Sequence, residues 1–201
     1  MGRRFDSCHL HHLFFWIYIL RIDHVAYRVK DREKTVQFFI DFFGYKKPKD
    51  LQEGFDIQFE DGTWAKCLVL EPPEKSDNSA SWAMFDAFGL EYHMPVEIFV
   101  SSGCEESIVS DWVKSHNGGN GGIHHIAYQV DSVERVVDEW KGKGFIEFAS
   151  EAPIRCPGLV QIFTKPLEVS GIIYEFIERE SQGFCADSVR NLMNSTKNNK
   201  F

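Results

Sequence analysis

Apolar and polar residues alternate with a period of two in two stretches of the chain, and the two stretches are copies of each other. Ile22-Asp23-His24-Val25-Ala26-Tyr27-Arg28-Val29 recurs as Ile123-His124-His125-Ile126-Ala127-Tyr128-Gln129-Val130, with Ile, His, Ala, Tyr and Val repeating at a constant offset of 101 residues. A period of two marks a half-buried strand. In each copy a short polar break follows (residues 30–33 and 131–134), then an amphipathic stretch closed by glycine. This predicts helices over residues 33–43, ending at Gly44, and 133–141, ending at Gly142 and Gly144. Strand-like runs come next, at 56–60, 64–70 and 91–100 in the first half and at 145–148, 159–165 and 171–178 in the second. The unit is βαβββ, used twice. Residues 72–90 read as a loop, and 105–115 as a connecting helix before the Gly118-Gly119-Asn120-Gly121-Gly122 turn.

Strand parity sorts the chemistry. Val25, Tyr27 and Val29, with Ile126, Tyr128 and Val130, form an apolar face suited to packing under the helices. The opposite face carries Ile22, His24, Ala26 and Arg28 in one copy and Ile123, His125, Ala127 and Gln129 in the other. Pseudo-symmetry then sets His24 and His125 facing each other. In the last strand Glu175 shares its face with Ile173 and Ile177, where a carboxylate carries a heavy desolvation cost unless a cation compensates it. A lone strand histidine is by default a packing residue; two at repeat-equivalent positions, with an in-strand Glu as third member, point to a metal. His₂-carboxylate is the facial triad of non-haem Fe(II), with positions left open for substrate and O₂. His93, His116 and His124 lack such support and fall outside the ligand set, His124 lying near it.

Composition narrows the class. The 201 residues are 43% hydrophobic, enough for a real core, and 30 acidic against 22 basic residues give a formal charge of −8, which excludes a nucleic-acid partner. Five cysteines, Cys8, Cys67, Cys104, Cys156 and Cys185, show no metal or redox spacing and read as free thiols of a cytoplasmic protein. Residues 1–20 read as an N-terminal extension: the apolar run at 13–20 has no small-residue cleavage site and is far short of the roughly 20 residues that span a bilayer, so no membrane partner is expected. Aromatic residues make 14% of the chain, and most, including Phe38, Phe39, Phe42, Phe43, Tyr27, Tyr128, Tyr174 and Phe176, are assigned to packing faces.

The paired I-x-H-[VI]-A-Y strands in a doubled βαβββ pattern resemble the vicinal oxygen chelate superfamily. Gly121-Gly122-Ile123-His124-His125-Ile126-Ala127, then Leu159-Val160-Gln161-Ile162-Phe163-Thr164-Lys165-Pro166, then Ile172-Ile173-Tyr174-Glu175-Phe176-Ile177-Glu178-Arg179 and Gly183-Phe184 are most similar to the catalytic half of the 4-hydroxyphenylpyruvate dioxygenase family. The resemblance implies an α+β fold in which two tandem modules (about 21–103 and 122–181) form one cup-shaped mixed sheet over residues 21–181, with a C-terminal helix and polar tail at 182–201. It implies His24, His125 and Glu175 as ligands of Fe(II) (Co, Mn, Zn or Ni as alternatives), Gln161 as a catalytic polar contact to substrate, and Phe163 and Phe184 as pocket walls. Gln161 also suits plain strand packing, and the two phenylalanines the core. The implied reaction is oxidative decarboxylation of a 2-oxo acid with O₂.

The substrate shell departs from the family pattern: His124 stands for a Gln, Glu97 for an Asn, Val189 and Met193 for aromatic residues of the terminal helix, and the helical insertion before residue 159 shrinks to residues 151–158, a length closer to methylmalonyl-CoA epimerase. An altered substrate is therefore expected. A metal-dependent epimerase or glyoxalase-like lyase is the alternative. Such enzymes resemble this chain but take a fourth ligand, Glu or Gln, from the last strand of the first module; matching residues 66–72 to that strand puts Leu68 there, with Glu97 as the other candidate. A non-catalytic small-molecule binder is the third reading, disfavoured by retention of all three ligands. A homodimer is compatible with any of them.

Overall fold

The computed structural model describes residues 19–73, 96–144, 146–180 and 186–196. The chain runs β1 (Ile19–Val29), α1 (Arg32–Phe43), β2 (Phe55–Gln58), β3 (Trp64–Leu70), β4 (Glu97–Gly103), α2 (Ile108–Ser115), β5 (Gly121–Val130), α3 (Val133–Lys143), β6 (Ile154–Cys156), β7 (Leu159–Phe163), β8 (Ile173–Arg179) and α4 (Ala186–Ser195). One eight-stranded mixed sheet of order β2-β3-β4-β1-β5-β8-β7-β6 curls into a half-barrel. β1 pairs parallel with β4, β5 pairs parallel with β8, and β1 and β5 meet antiparallel at the centre. Each half thus repeats the other's strand order about the β1–β5 seam.

Local chemistry explains the repeated helices. Asp31 accepts from the Lys34 N–H (3.1 Å) at the start of α1, and Ser132, its counterpart 101 residues on, accepts from the Arg135 N–H (3.2 Å) at the start of α3. Each oxygen satisfies a helix-end donor that has no partner within the helix. Gly44 and Gly144 end the two helices in the left-handed region, at φ 72° and 65°, where a Cβ is disfavoured.

The two faces of the sheet hold different layers. Val29, Val36, Leu68, Leu70, Ile98 and Val100 pack beneath α1, and Val130, Val133, Val136, Ile162 and Phe176 beneath α3. On the concave side, Ala26, Ala65, Cys67, Phe99, Val109, Val189 and Met193 form one cluster and Phe163, Ile173 and Leu192 another. α4 touches β2 and β6, the two outermost strands, and so bridges the mouth of the cup.

Three expectations are corrected. The strand expected at 145–148 is reduced to a single bridge between Phe148 and Thr164, while β6 forms at Ile154–Cys156, in the segment read as a loop. Ile154, Arg155 and Cys156 pair with β7 through the two-residue Pro157-Gly158 turn, and a hairpin that short closes itself. The face of α1 bearing Phe38, Phe42 and Phe43 does not pack on the sheet: Phe42 is 74% exposed and the three rings cluster on one another. Leu68 belongs to β3, not to the last strand of the first half, and faces α1.

Gly121 opens β5 at φ 80°, and a Cβ there would sit 2.0 Å from the Arg28 carbonyl oxygen. Gly121→Ala is expected to cost about 1–3 kcal/mol of stability, read as a lower urea midpoint at unchanged slope.

Candidate metal centre

The register of the β1–β5 seam builds the site. Ile22 lies opposite Tyr128 but His24 opposite Ala127, which leaves Asp23 as an extra residue in β1; Ala26 lies opposite His125 but Tyr27 opposite Ile123, which leaves His124 as an extra residue in β5. Asp23 and His124 are themselves 101 residues apart, so the two irregularities are one β-bulge used twice. Beyond a bulge the alternation of faces shifts by one. Asp23 and His24 are therefore both buried toward the cup, as are His124 and His125, whereas Ile22 and Ile123, expected beside the histidines, are 38% and 42% exposed.

Three side chains converge inside. His24 Nε2 lies 3.1 Å from His125 Nε2 and 3.2 Å from Glu175 Oε2, and His125 Nε2 lies 3.1 Å from the same carboxylate oxygen. Ligand atoms held about 2.1 Å from one ion sit about 3.0 Å apart at octahedral right angles and about 3.4 Å apart at tetrahedral angles. The observed triangle is nearer the octahedral face. Glu175 is 1% exposed, and its Oε1 has no hydrogen-bond partner among the described residues. A buried carboxylate with one idle oxygen and two imidazole nitrogens in front of it is a set that can hold a divalent ion.

Outer partners fix both rings. His24 Nδ1 donates to Asp23 Oδ1 (2.8 Å), and Arg179 on β8 pairs with the same oxygen (2.7 Å) and with Glu97 (3.0 Å). Such a carboxylate orients the imidazole, presents the other nitrogen's lone pair and raises its basicity. His125 Nδ1 lies 2.8 Å from His124 Nδ1. Burial, with Arg28 and His125 adding to it, pushes the His124 pKa well below its usual value, so His124 is neutral and can accept that proton. Its ring is held edge-on by Trp112 at 5.3 Å.

Electrostatics at the triad are uneven. Burial alone would push His24 down, but Glu175 and Asp23 outweigh it and raise its pKa from 6.5 to about 9. Burial would raise Glu175, yet His24 and His125 hold it at about 2. His125 is lowered by burial, against the pull of Glu175, to about 4. At neutral pH, without an ion, one proton resides on His24.

The cavity over the triad is small, about 30 Å³, lined by Arg28, Phe99, Ser101, Gln161, Phe163 and the α4 residues Val189, Leu192 and Met193, among others. That is room for about two water-sized groups. Gln161 is 1% exposed and donates to Ser188 Oγ, tying α4 to β7. Phe163 packs on the His125 ring (4.7 Å between centroids). Phe184, the other expected wall, and His93 lie outside the described residues. His116 stacks on Trp112 (3.8 Å), away from the triad. Glu97 spends its carboxylate on Arg179. Sequence reasoning missed Asp23 and Arg179, and placed Arg28 on the cup face without a role.

The model of the glyoxalase/bleomycin resistance protein/dioxygenase superfamily matches residues 23–156, a stretch that includes His24 and His125 but stops before Glu175. No curated protein matches the chain in sequence. Among solved structures, a methylmalonyl-CoA epimerase is similar over 80% of this chain and 95% of its own (TM-score 0.54, 23% identity). The methylmalonyl-CoA epimerase of Mycobacterium tuberculosis is similar over 84% and 94% (TM-score 0.56, 16% identity). A mutant 4-hydroxymandelate synthase from Streptomyces coelicolor is similar over 88% of this chain and 53% of its own (TM-score 0.66, 15% identity). These identities speak to the fold alone.

Two outcomes follow. Binding of a divalent ion near pH 7.5 should release about one proton, from His24, since His125 and Glu175 are already deprotonated; apparent affinity should rise about tenfold per pH unit up to pH 9 and level off above it. Calorimetry in buffers of different ionisation enthalpy reads the proton count. Asp23→Asn, which keeps shape but loses the charge beside His24, should weaken Co(II) binding by about 10–100-fold, measured by competition with a chromophoric chelator.

Proposed function

Given that the chain belongs to the glyoxalase/bleomycin resistance protein/dioxygenase superfamily, we propose that it is a metal-dependent enzyme in which His24, His125 and Glu175 hold Fe(II), acting as a dioxygenase of the 4-hydroxyphenylpyruvate dioxygenase type on a 2-oxo acid with O₂. Co, Mn, Zn and Ni suit the same donors. The observation that carries the choice is Phe99. Ala26 pairs with Phe99 as Ala127 pairs with Glu175, so Phe99 occupies on β4 the place that Glu175 occupies on β8. A fourth ligand from the last strand of the first half would stand there, and a phenyl ring cannot ligate. Three ligands leave adjacent positions for a chelating 2-oxo acid and O₂.

A ferrous ion supplies the activation of O₂ and the polarisation of the chelated acid. The chain's own part is positioning and dryness. Asp23 and His124 fix the two imidazoles, and Phe99, Phe163, Val189, Leu192 and Met193 keep water from the reacting centre. Gln161 presents an amide at the wall as the polar contact to substrate, and Phe184 is assigned to the same wall. With space for only about two water-sized groups, a substrate of more than a few atoms enters only when α4 moves aside.

The second reading is an epimerase or glyoxalase-like lyase. It is supported by the epimerase structures, which this chain spans almost whole. Such chemistry moves a proton with a carboxylate, and the only carboxylate among the described cavity residues is the proposed ligand Glu175. A non-catalytic binder is the third. Superfamily members bind small molecules and often form dimers; the proposal includes a cytoplasmic homodimer built on one domain, residues 21–181, with modules at 21–103 and 122–181. No helix among the described residues is long and apolar enough to cross a membrane.

Anaerobic reconstitution with Fe(II), followed by O₂ uptake and CO₂ release over a panel of 2-oxo acids that includes 4-hydroxyphenylpyruvate, tests the reading. Stoichiometric uptake and release with at least one acid is expected. No turnover with any acid, together with solvent proton exchange into an acyl-CoA in the presence of Co(II), would replace the dioxygenase by the epimerase.

A further inference from the structure

Among arginines whose side chains are described, Arg32, Arg135, Arg155, Arg179 and Arg190 each pair with a carboxylate. Arg28 does not. It is 3% exposed, faces the metal cavity, and makes one side-chain hydrogen bond, from Nη2 to Thr196 Oγ1 at 3.2 Å. A guanidinium has five N–H donors and a high cost of burial, so a buried one is ordinarily matched to an anion. Burial lowers its pKa to about 9, which leaves it cationic at neutral pH.

Its placement is specific. Arg28 stands on the same strand and face as His24 and Ala26, two pairs beyond the Ala26–His125 pairing and opposite Ser101 of β4. Its charge is felt at both His124 and His125. The repeat-equivalent residue is Gln129, neutral and already satisfied by donating to the Arg179 carbonyl (3.3 Å). The cation is therefore not a requirement of the βαβββ unit but an addition to one copy of it. Of the groups lining the cavity, Glu175 offsets one charge of a divalent ion and Arg28 adds one, so the loaded lining keeps two positive charges; Asp23, Arg179 and Glu97 form an ion cluster behind it. A dianion neutralises both.

We propose that Arg28 is the anion-recognition residue of the cavity, holding the distal carboxylate of a compact dicarboxylic 2-oxo acid whose chelating oxygens face His24, His125 and Glu175. The chelating end rests on the metal reading above; the Arg28 end does not. Bidentate pairing with a carboxylate would use donors that the protein leaves idle.

The test uses the full chain loaded with Co(II), with the metal's visible absorption reporting occupancy, and compares oxaloacetate and 2-oxoglutarate with their neutral-tailed counterparts 2-oxobutanoate and 2-oxopentanoate. The wild type should bind at least one dicarboxylate at least tenfold tighter than its counterpart. Arg28→Met should lose that preference, keep the Co(II) spectrum and the monocarboxylate affinity, and melt at a higher temperature, because an unmatched buried charge is removed. Arg28→Gln, which copies Gln129, gives the same readout should the methionine variant fold poorly. Equal affinities in the wild type for both pairs, a preference retained by the variants, or a fall in melting temperature with no change in selectivity would overturn the proposal and leave Arg28 as a tie to Thr196. The metal-free protein separates the two readings: if Co(II) fails to bind while succinate raises the melting temperature of the wild type and not of the variants, the metal reading falls and the anion site stands.

Discussion

The antiparallel seam between β1 and β5 is the constraint on which the rest of the molecule depends. Val25 lies opposite Ile126 there, and since these two are repeat-equivalents, the pseudo-two-fold axis passes between them. A residue one position from that point lies diagonally across the axis from its counterpart, with an alanine directly opposite each (His24–Ala127, Ala26–His125). His24 and His125 each sit one residue away, so the pairing that joins the two halves of the sheet also brings two imidazoles together. Fold and site are thus set by the same backbone hydrogen bonds. A register slip of one residue would turn both histidines to the helix layer, and the isoleucines and valines that pack on α1 and α3 would have to face the cup.

The bulges at Asp23 and His124 resolve what strict alternation forbids, namely two adjacent side chains on one face. Their consequence is chemical. Asp23 reaches the outer nitrogen of His24 and His124 reaches that of His125, so both rings are held by their own sequence neighbours. The two supports differ in charge, and the pKa values follow. With a carboxylate behind it and Glu175 in front, His24 is the most basic group of the cluster; with a neutral imidazole behind it, His125 remains uncharged. Burying His24, Glu175, Asp23 and Arg179 together costs several kcal/mol per ion before pairing offsets it. The compensating contacts come from β1, β5 and β8 at once, which makes the three central strands interdependent.

Much of this was legible in the residues. The offset of 101 exposed the duplication, and parity identified His24, His125 and Glu175 as sharing one space, because each lies in a strand whose buried face is read by a period of two. The bulges were not legible, since one inserted residue leaves the local composition unchanged and alters only which neighbour lies opposite. For that reason strict alternation places Ile22 and Ile123 in the cup, where the structure has Asp23 and His124. β6 was hidden by its length: three residues, Ile154, Arg155 and Cys156, carry too little periodicity, and only the Pro157-Gly158 turn marks them. The fourth-ligand position falls at Phe99 and not Leu68 because residues 64–70 form the third strand of the first half and not its last. Phe42 and its neighbours defeated hydrophobic patterning outright, being apolar residues on an open helix face.

Duplication also explains the asymmetry of the site. An ion on or near a two-fold axis meets two copies of every residue, but a facial set needs only one carboxylate beside the two imidazoles. Once Glu175 serves, its counterpart is free to change, and Phe99 fills that place with an apolar wall. By the same logic the position that is Gln129 in one copy is Arg28 in the other, on the side of the cup that contributes no carboxylate to the cavity lining among the described residues. Among the residues lining the cavity these two departures each shift the first half toward positive charge, while Asp23 and Glu97 lie behind the lining on Arg179. The cavity is therefore polarised across the axis, with Glu175 on one side and Arg28 on the other. An anionic ligand entering it has a single electrostatically favoured orientation even though the sheet around it has two equivalent halves.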